Sequence, residues 1–353
     1  MKFIPLVVLC MAAGCWPSLP IENRPCPCVI GYSCDTAHDR CVLDGTPLPD
    51  GSVSDGPVAF WTSQAISAPI SQNLSNIWGS GPSDIYVNGS NGGFFHSTGN
   101  GIWTRIQNAA ALDRNYNGIW GSAATDIYTL VADGFGENAA ILHSTGNGTW
   151  AQVAVPTEML DIWGSASNDV WAVGVYGTIL HSAGGNVWEQ SASPATSHLE
   201  SVWGTSNVNA YAVGWGGTIL RWDGMRWSIE ISGGSRIFAA VFGTSASDVY
   251  AVATDGTLLH SIGDGNWTDQ TFTSFAGGAD LWASSSRDVY LVSAGGSEFD
   301  GIVFHSTGDG TWVQIDPGAR FVPGPAPILR AVWGMAADDI YFVDGIGRIF
   351  HLP

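Results

Sequence analysis

Lysine is almost absent from this sequence of 353 residues. Lys2 is the only one, so eleven of the 12 basic residues are arginines, and they face 31 acidic residues for a formal net charge of −19. A surface this acidic repels nucleic-acid phosphates and anionic lipid headgroups, because they carry charge of the same sign. We therefore expect no nucleic-acid partner.

Charged residues of either sign are also scarce, at 12%, whereas glycine is abundant, with 46 residues. This composition is typical of short strands joined by many tight turns and argues against long helices. We expect an all-β fold with almost no helix in the mature chain.

Long apolar runs are missing except at the start of the chain. Lys2 precedes an apolar run over residues 3–13, and Gly14 follows it. The run is too short for a stable transmembrane span and predicts a signal peptide over residues 1–14. The small residues before Cys15 resemble the lipobox of bacterial lipoproteins, which implies lipidation of Cys15 and a tether over residues 15–25. Trp16 implies, by the same resemblance, the outer membrane; an ordinary signal peptide cleaved nearby is the alternative.

No cysteine follows Cys41. Apart from Cys10 and Cys15, the cysteines are Cys26, Cys28, Cys34 and Cys41. Four cysteines in a short exported segment predict two disulfides, with three connectivities open, over residues 26–42. Zinc is the alternative, although Cys-x-Cys is an awkward spacing for a tetrahedral site. Residues 43–57, rich in Pro, Gly and Asp, predict a flexible linker.

Two rows of aromatic residues repeat along residues 58–353 at a period of roughly 42 residues, which is typical of four-stranded propeller blades. In the first row an aromatic precedes a small residue: Trp78-Gly79, Trp120-Gly121, Trp163-Gly164, Trp203-Gly204, Phe242-Gly243, Trp282-Ala283 and Trp333-Gly334. The second row is Trp61, Trp103, Trp150, Trp188, Trp227, Trp267 and Trp312. These rows predict a seven-bladed β-propeller.

The last repeat supplies only three strands before the chain stops at Pro353. The missing fourth strand is expected around Trp61, at the other end of the propeller. An N-terminal strand that completes the last blade hides strand edges and closes the ring.

Acidic and histidine residues recur at fixed places in the blades. An acid or Asn in the turn between strands 1 and 2 is expected to accept backbone N–H bonds: Asp84, Asp126, Asp169, Asn209, Asp248, Asp288 and Asp339. Strand 3 ends in His96, His143, His181, Arg221, His260, His305 and His351. Equivalent residues of different blades cannot converge on one metal ion, so we expect packing or turn roles and no metal site. Calcium at the Asp/Gly-rich turns has little support, because no turn matches an EF-hand loop; no cofactor is expected.

The turns between strands 3 and 4 share a second motif. Residues 97–103 read Ser-Thr-Gly-Asn-Gly-Ile-Trp, and residues 144–150, 261–267 and 306–312 are similar. These turns resemble the Asp-box turn of sialidase-like and other BNR-type propellers, although their spacing departs from Ser-x-Asp-x-Gly-x-Thr-Trp. Together with Asp-Val-Trp-Ala-Val-Gly at 169–174, they make residues 58–353 similar to bacterial exported WD40/YVTN/BNR-like lipoproteins. The resemblance implies a fold and a lipid-anchored envelope location; it does not imply an activity.

The repeats differ in length on one face only. Residues 132–140 and 294–301 are insertions between strands 2 and 3, and residues 108–115 and 316–327 are the longest connections between blades. In a four-stranded meander these loops leave the same end of the ring, and one-sided insertions usually mark a binding face. The ligand-binding candidates on it are Arg114, Tyr116, Phe135, Tyr176, Trp215, Phe299 and Arg320.

Two functions remain open from the sequence. The first is a non-catalytic binding or scaffold propeller, a monomer displayed from the membrane, with a protein or glycan ligand on the variable face. The alternative is a polysaccharide-active glycoside hydrolase or lyase of BNR type, for which Glu137 and Glu298 would supply the paired carboxylates. The sequence leaves open the ligand and whether the domain faces the periplasm or the cell surface.

Overall fold

The computed structural model describes residues 32–35, 40–43, 62–66, 73–106, 114–133, 138–272, 277–293, 302–315 and 328–352. The chain divides into two units, Met1–Phe60 and Trp61–Pro353. In the first unit, β1 (Tyr32–Asp35) and β2 (Arg40–Leu43) form an antiparallel hairpin whose register places Cys34 opposite Cys41. The predicted boundaries at residues 14, 25, 42 and 57, together with Cys15, Cys26 and Cys28, lie outside the described residues.

The second unit is a propeller of seven blades, each a four-stranded antiparallel meander, as the two aromatic rows predicted. The strands that begin the unit are β3 (Thr62–Ser63) and β4 (Ala65–Ile66). Blades one to four are β5 (Leu74–Gly81), β6 (Asp84–Gly89), β7 (Phe94–Ser97), β8 (Ile102–Arg105); β9 (Asn115–Ala123), β10 (Asp126–Ala132), β11 (Ala140–Ser144), β12 (Ala151–Ala154); β13 (Met159–Ala166), β14 (Asp169–Gly174), β15 (Ile179–Ser182), β16 (Glu189–Ser191); and β17 (Leu199–Ser206), β18 (Asn209–Gly214), β19 (Thr218–Trp222), β20 (Trp227–Ile231). Blades five to seven are β21 (Phe238–Ser245), β22 (Asp248–Ala253), β23 (Leu258–Ser261), β24 (Thr268–Asp269); β25 (Gly278–Ser285), β26 (Asp288–Ser293), β27 (Ile302–Ser306), β28 (Val313–Ile315); and β29 (Leu329–Ala336), β30 (Asp339–Asp344), β31 (Ile349–Leu352) with β3.

Helix is as scarce as the composition predicted. Across the described ranges the one helical element is a 3-10 turn, Val175–Gly177. None of the helical structure in those ranges is long and apolar enough to cross a membrane.

The N-terminal segment closes the ring by pairing with two blades. Strand β3 pairs antiparallel with β31, with Thr62 opposite His351, so it completes blade seven as predicted. Strand β4 pairs parallel with β8 of blade one. Between them, the Gln64 side-chain oxygen accepts a hydrogen bond of 2.6 Å from Nε1 of Trp103. Residues 62–66 therefore hold blade seven and blade one together.

Five of the inner-strand tryptophans lie over the glycine of the next blade. A Cβ atom added at Gly121 would stand 2.6 Å from the Trp78 ring, and one at Gly334 would stand 2.8 Å from the Trp282 ring. The same approach occurs at Gly79, Gly164 and Gly243. The repeat requires a small residue at this position because the tryptophan ring of the neighbouring blade packs directly against its Cα atom.

The turn acids and strand-3 histidines of six blades pair with each other. Nε2 of each histidine lies 2.6–2.9 Å from the aspartate carboxylate of its own blade, as His260 does from Asp248. The histidine ring also packs on the strand-2 aromatic, at 4.1–4.7 Å between ring centroids. The expected structural role is confirmed, but the turn acids accept from histidine and from Ser or Thr hydroxyls, where backbone N–H donors were expected.

Blade four lacks both members of this pair. Asn209 replaces the aspartate and Arg221 replaces the histidine. Nη1 of Arg221 instead donates to the Gly263 carbonyl at 2.8 Å and lies 3.5 Å from Oε1 of Glu230. The partners of the six Asp–His pairs are thus both replaced in this blade.

Candidate functional site

The described loops between strands 2 and 3 and the connections between blades lie at the ends where the inner strands begin; we call this surface the loop face. Between the inner strands, a central cavity of about 180 Å³ is lined by side chains that include Asn76, Asp161, Glu200, Asp280 and Arg330. Inner strands supply these residues because every blade presents its first strand to the ring axis.

Two aspartates of the cavity join neighbouring blades. Asp161 accepts the Ile162 N–H at 2.8 Å and the Val202 N–H of blade four at 2.9 Å. Asp280 likewise accepts the N–H of Leu281 and that of Val332 in blade seven, at 2.8 and 3.0 Å. These hydrogen bonds give both carboxylates a structural role.

The cavity also shifts the acidity of these groups. Burial raises the pKa of Asp161 to about 6, against the hydrogen bonds that it accepts. Burial raises the pKa of Asp280 to about 7, and the charge of Asp161 adds to the rise. Within the described residues, no group of three or more His, Cys, Asp or Glu side chains is arranged to hold a metal ion.

A row of three rings stands on the loop face beside the cavity, between blades three and four. The His198 ring lies between Tyr176 and Trp215, with centroid distances of 5.3 and 4.8 Å. Tyr176 is 74% exposed and Trp215 is 43% exposed. We call these three residues the aromatic row.

Hydrogen bonds fix the aromatic row. The Tyr176 N–H donates to Nδ1 of His198 at 3.2 Å, and the Trp215 N–H donates to the His198 carbonyl at 2.9 Å. Tyr176 has φ of +58°, in the left-handed region that residues other than glycine seldom adopt. The exposed tyrosine ring is therefore held on a strained backbone.

Two glutamates accompany the aromatic row. Nε1 of Trp215 donates to Oε1 of Glu200, and the Asn117 amide donates to Oε1 of Glu158 at 3.1 Å. Burial raises the pKa of Glu200; the Trp215 hydrogen bond and His198 oppose the rise, and the charge of Glu158 adds to it. The row thus has a half-buried, acidic inner edge.

The predicted site residues have different places in the structure. Tyr176 and Trp215 lie together on the loop face. Nη1 of Arg114 donates to the Asn138 carbonyl at 3.1 Å and braces the loop of blade two. Tyr116, expected among the exposed aromatics, is a correction: it is 2% exposed, within β9, and packs on Phe94. Outside the described residues lie Phe135, Glu137, Glu298, Phe299 and Arg320.

Sequence reasoning missed His198 and Glu200. They flank Leu199, the first residue of an inner strand, where the neighbouring blade five carries Ile237 and Ala239. That departure from the repeat was the available signal.

These blades define the chain as a seven-bladed β-propeller. No family model and no curated protein matches it. Among solved structures, YCF48 bound to D1 peptide is similar at 17% identity and a TM-score of 0.66, over 83% of this chain and 94% of that one. The WD40 β-propeller domain of Doa1 is similar at 11% identity and 0.63, over 83% and 97%. The extracellular domain of BT4673 from B. thetaiotaomicron is similar at 12% and 0.66, over 83% of this chain and 40% of that one. At these identities the likeness concerns the fold.

Proposed function

We propose that this chain is a non-catalytic binding or scaffold propeller, exported and lipid-anchored at Cys15, that holds a protein or glycan ligand on its loop face. The observation that carries the proposal is the exposed aromatic row beside the central cavity. Half-exposed aromatic rings offer large contact areas with little loss of side-chain freedom, and such rings dominate binding surfaces.

The other blades show which residues the fold requires at the positions of Tyr176 and Trp215. The loop position of Tyr176 is occupied by Asn91 in blade one and Asp255 in blade five, and that of Trp215 by Ser90 and Thr254. Blades without an aromatic here close equally well. Two aromatics in adjacent loops are therefore not required by blade packing.

Backbone strain adds a second argument. A left-handed tyrosine costs about 1–3 kcal/mol, and such costs cluster at functional sites. A structural neighbour with the same fold, YCF48, was solved with a bound peptide, which supports a ligand role for a propeller of this kind.

The test uses the full chain on peptide and glycan arrays. Trp215→Ala and Tyr176→Ala are expected to lose the ligands that the wild type binds. Met225→Ala is the matched control, because Met225 is 89% exposed and lies on the turn between strands 3 and 4, at the opposite face. Equal array profiles for wild type and Trp215→Ala would overturn the proposal. Turnover of a polysaccharide panel that disappears in Glu137→Gln would favour the hydrolase or lyase instead.

A further inference from the structure

We infer that the ligand is a polypeptide segment whose lysine or arginine side chain is held by Glu200 and Glu158 against Trp215. The inference rests on the proposed function, because it uses the same aromatic row. It adds the chemical class of the partner and the group that is recognised.

Within the described residues, neither carboxylate beside the row pairs with an arginine, and the basic group near Glu200 is the His198 imidazole. The described arginine–carboxylate pairs lie elsewhere: Arg221–Glu230, Arg226–Asp223, Arg236–Asp255 and Arg348–Asp344. Among the residues lining the central cavity, the only arginine is Arg330, on blade seven, across the ring from blade four. Half-buried carboxylates that lack a positive partner are costly, so a cation supplied by a ligand gains more here than at an exposed acid.

The net charge of the whole chain also favours a positively charged ligand. Its formal net charge is −19, and the mature chain that we expect contains no lysine. A basic segment is attracted at a distance and then meets the local acids, whereas an acidic one is repelled at both stages.

The ring of Trp215 stands at the position where such a cation would be desolvated. Its Nε1 is bonded to Glu200, so the carboxylate and the indole form one fixed unit. A lysine or arginine bound to the other carboxylate oxygen would lie beside the indole, and tryptophan is the best aromatic partner for a cation.

A polypeptide fits better than a small cation because the surface continues past the aromatic row. Tyr176 lines a shallow groove of about 450 Å³ that extends along Gln190 to Ser193 and Ala195. Small and uncharged residues in this groove would accept the peptide backbone that follows a basic side chain. The exposed ring of Tyr176 would then lie between the groove and the two glutamates.

The experiment screens the full chain against an array of seven-residue peptides whose central residue is lysine, arginine, norleucine or glutamate. The best lysine or arginine peptide, fluorescently labelled, is then titrated by anisotropy beside its norleucine counterpart. We expect the norleucine peptide to bind about tenfold more weakly, and Glu200→Gln to weaken the basic peptide by a similar factor. Asp338→Asn is the matched control, because it removes the same charge from an exposed turn on the opposite face, and its affinity should stay within about twofold.

The outcomes separate the two proposals. Binding that Trp215→Ala abolishes, but that is equal for lysine and norleucine peptides, would overturn the inference and leave the binding function intact. Ligands found only on the glycan array would do the same. Equal binding by wild type and Trp215→Ala to every probe would overturn both.

Discussion

The ring of Trp203 in blade four stands 2.8 Å from the place that a Cβ atom would occupy at Gly243 of blade five. One step further round the ring, Phe242 replaces the tryptophan of its row, and Ala283 of the next blade replaces the glycine. Both pack against the same core cluster. The smaller ring leaves room for the methyl group, so the two exceptions in the repeat compensate each other.

This relationship predicts a coupled pair of substitutions. Phe242→Trp alone should destabilise the protein by about 1–3 kcal/mol, because the larger ring meets the Ala283 methyl group. The double variant Phe242→Trp, Ala283→Gly should recover most of that loss. Urea unfolding of both single variants and the double variant measures the coupling; additive effects would show that the two residues do not share a contact.

The Asp–His pairs predict a second stability effect. His260→Phe keeps a ring against Tyr250 but removes the hydrogen bond to Asp248, so we expect a loss of about 1–3 kcal/mol in unfolding free energy. Arg221→Ala is not a suitable comparison, since Arg221 has partners of its own. Arg226→Ala, at a largely exposed side chain, is the control, and an equal effect of the two substitutions would contradict the structural role.

The cavity aspartates predict an unusual pH dependence. The folded-state pKa of Asp280 is raised from 3.8 to about 7, so the folded protein binds this proton more tightly than the unfolded chain does. Ionisation of Asp280 therefore costs stability as the pH rises through the window from about 4 to about 7, and the cost is absent below it.

Asp280→Asn removes that ionisation and keeps one oxygen for the Val332 N–H, whereas the acceptor of the Leu281 N–H is lost at every pH alike. Relative to wild type, this variant should gain at least about 1 kcal/mol of unfolding free energy between pH 5 and pH 8. Urea midpoints at both pH values check this. Asp248→Asn is the contrasting variant, because burial of Asp248 is outweighed by hydrogen bonds from His260 and Thr244, which lower its pKa. Parallel pH profiles for wild type and Asp280→Asn would contradict the assignment.

The N-terminal hairpin narrows the choice of disulfides. Directly opposed residues of an antiparallel pair have Cα atoms about 4.5–5.5 Å apart, which lies within the range of a disulfide. The register of Cys34 and Cys41 thus predicts a bond between them, with Cys26 and Cys28 left to pair with each other. Peptide mapping without reduction tests this, and a fragment joining Cys34 to Cys26 or Cys28 would rule it out.

Features that recur in every blade could be predicted from the sequence, whereas residues that occur in one blade only could not. The seven blades and their closure followed from the spacing of the tryptophans, because each blade presents the same packing problem. The pairing of Asp248 with His260 was missed, since the sequence shows two rows of residues without showing that strand 3 brings one to the other. His198 and Glu200 were missed because neither belongs to a row.

Tyr116 is a different kind of error. It was expected on the variable face, next to a connecting segment predicted to end at residue 115, whereas β9 begins at Asn115 and includes it. Yet it precedes Trp120 by the same spacing as Leu74 precedes Trp78 and Leu199 precedes Trp203, and both leucines are fully buried. The spacing to Trp120 therefore predicts that Tyr116 is buried, although it follows a long loop.

The segment at residues 62–66 has a consequence for self-association. It covers the outer edge of blade seven through β3 and that of blade one through β4. Removing it would uncover two strand edges on neighbouring blades at once, and an uncovered edge is a template for adding a strand from another molecule. A chain shortened past Ile66 would then have two such templates side by side, and its characteristic fault would be polymerisation from blade to blade.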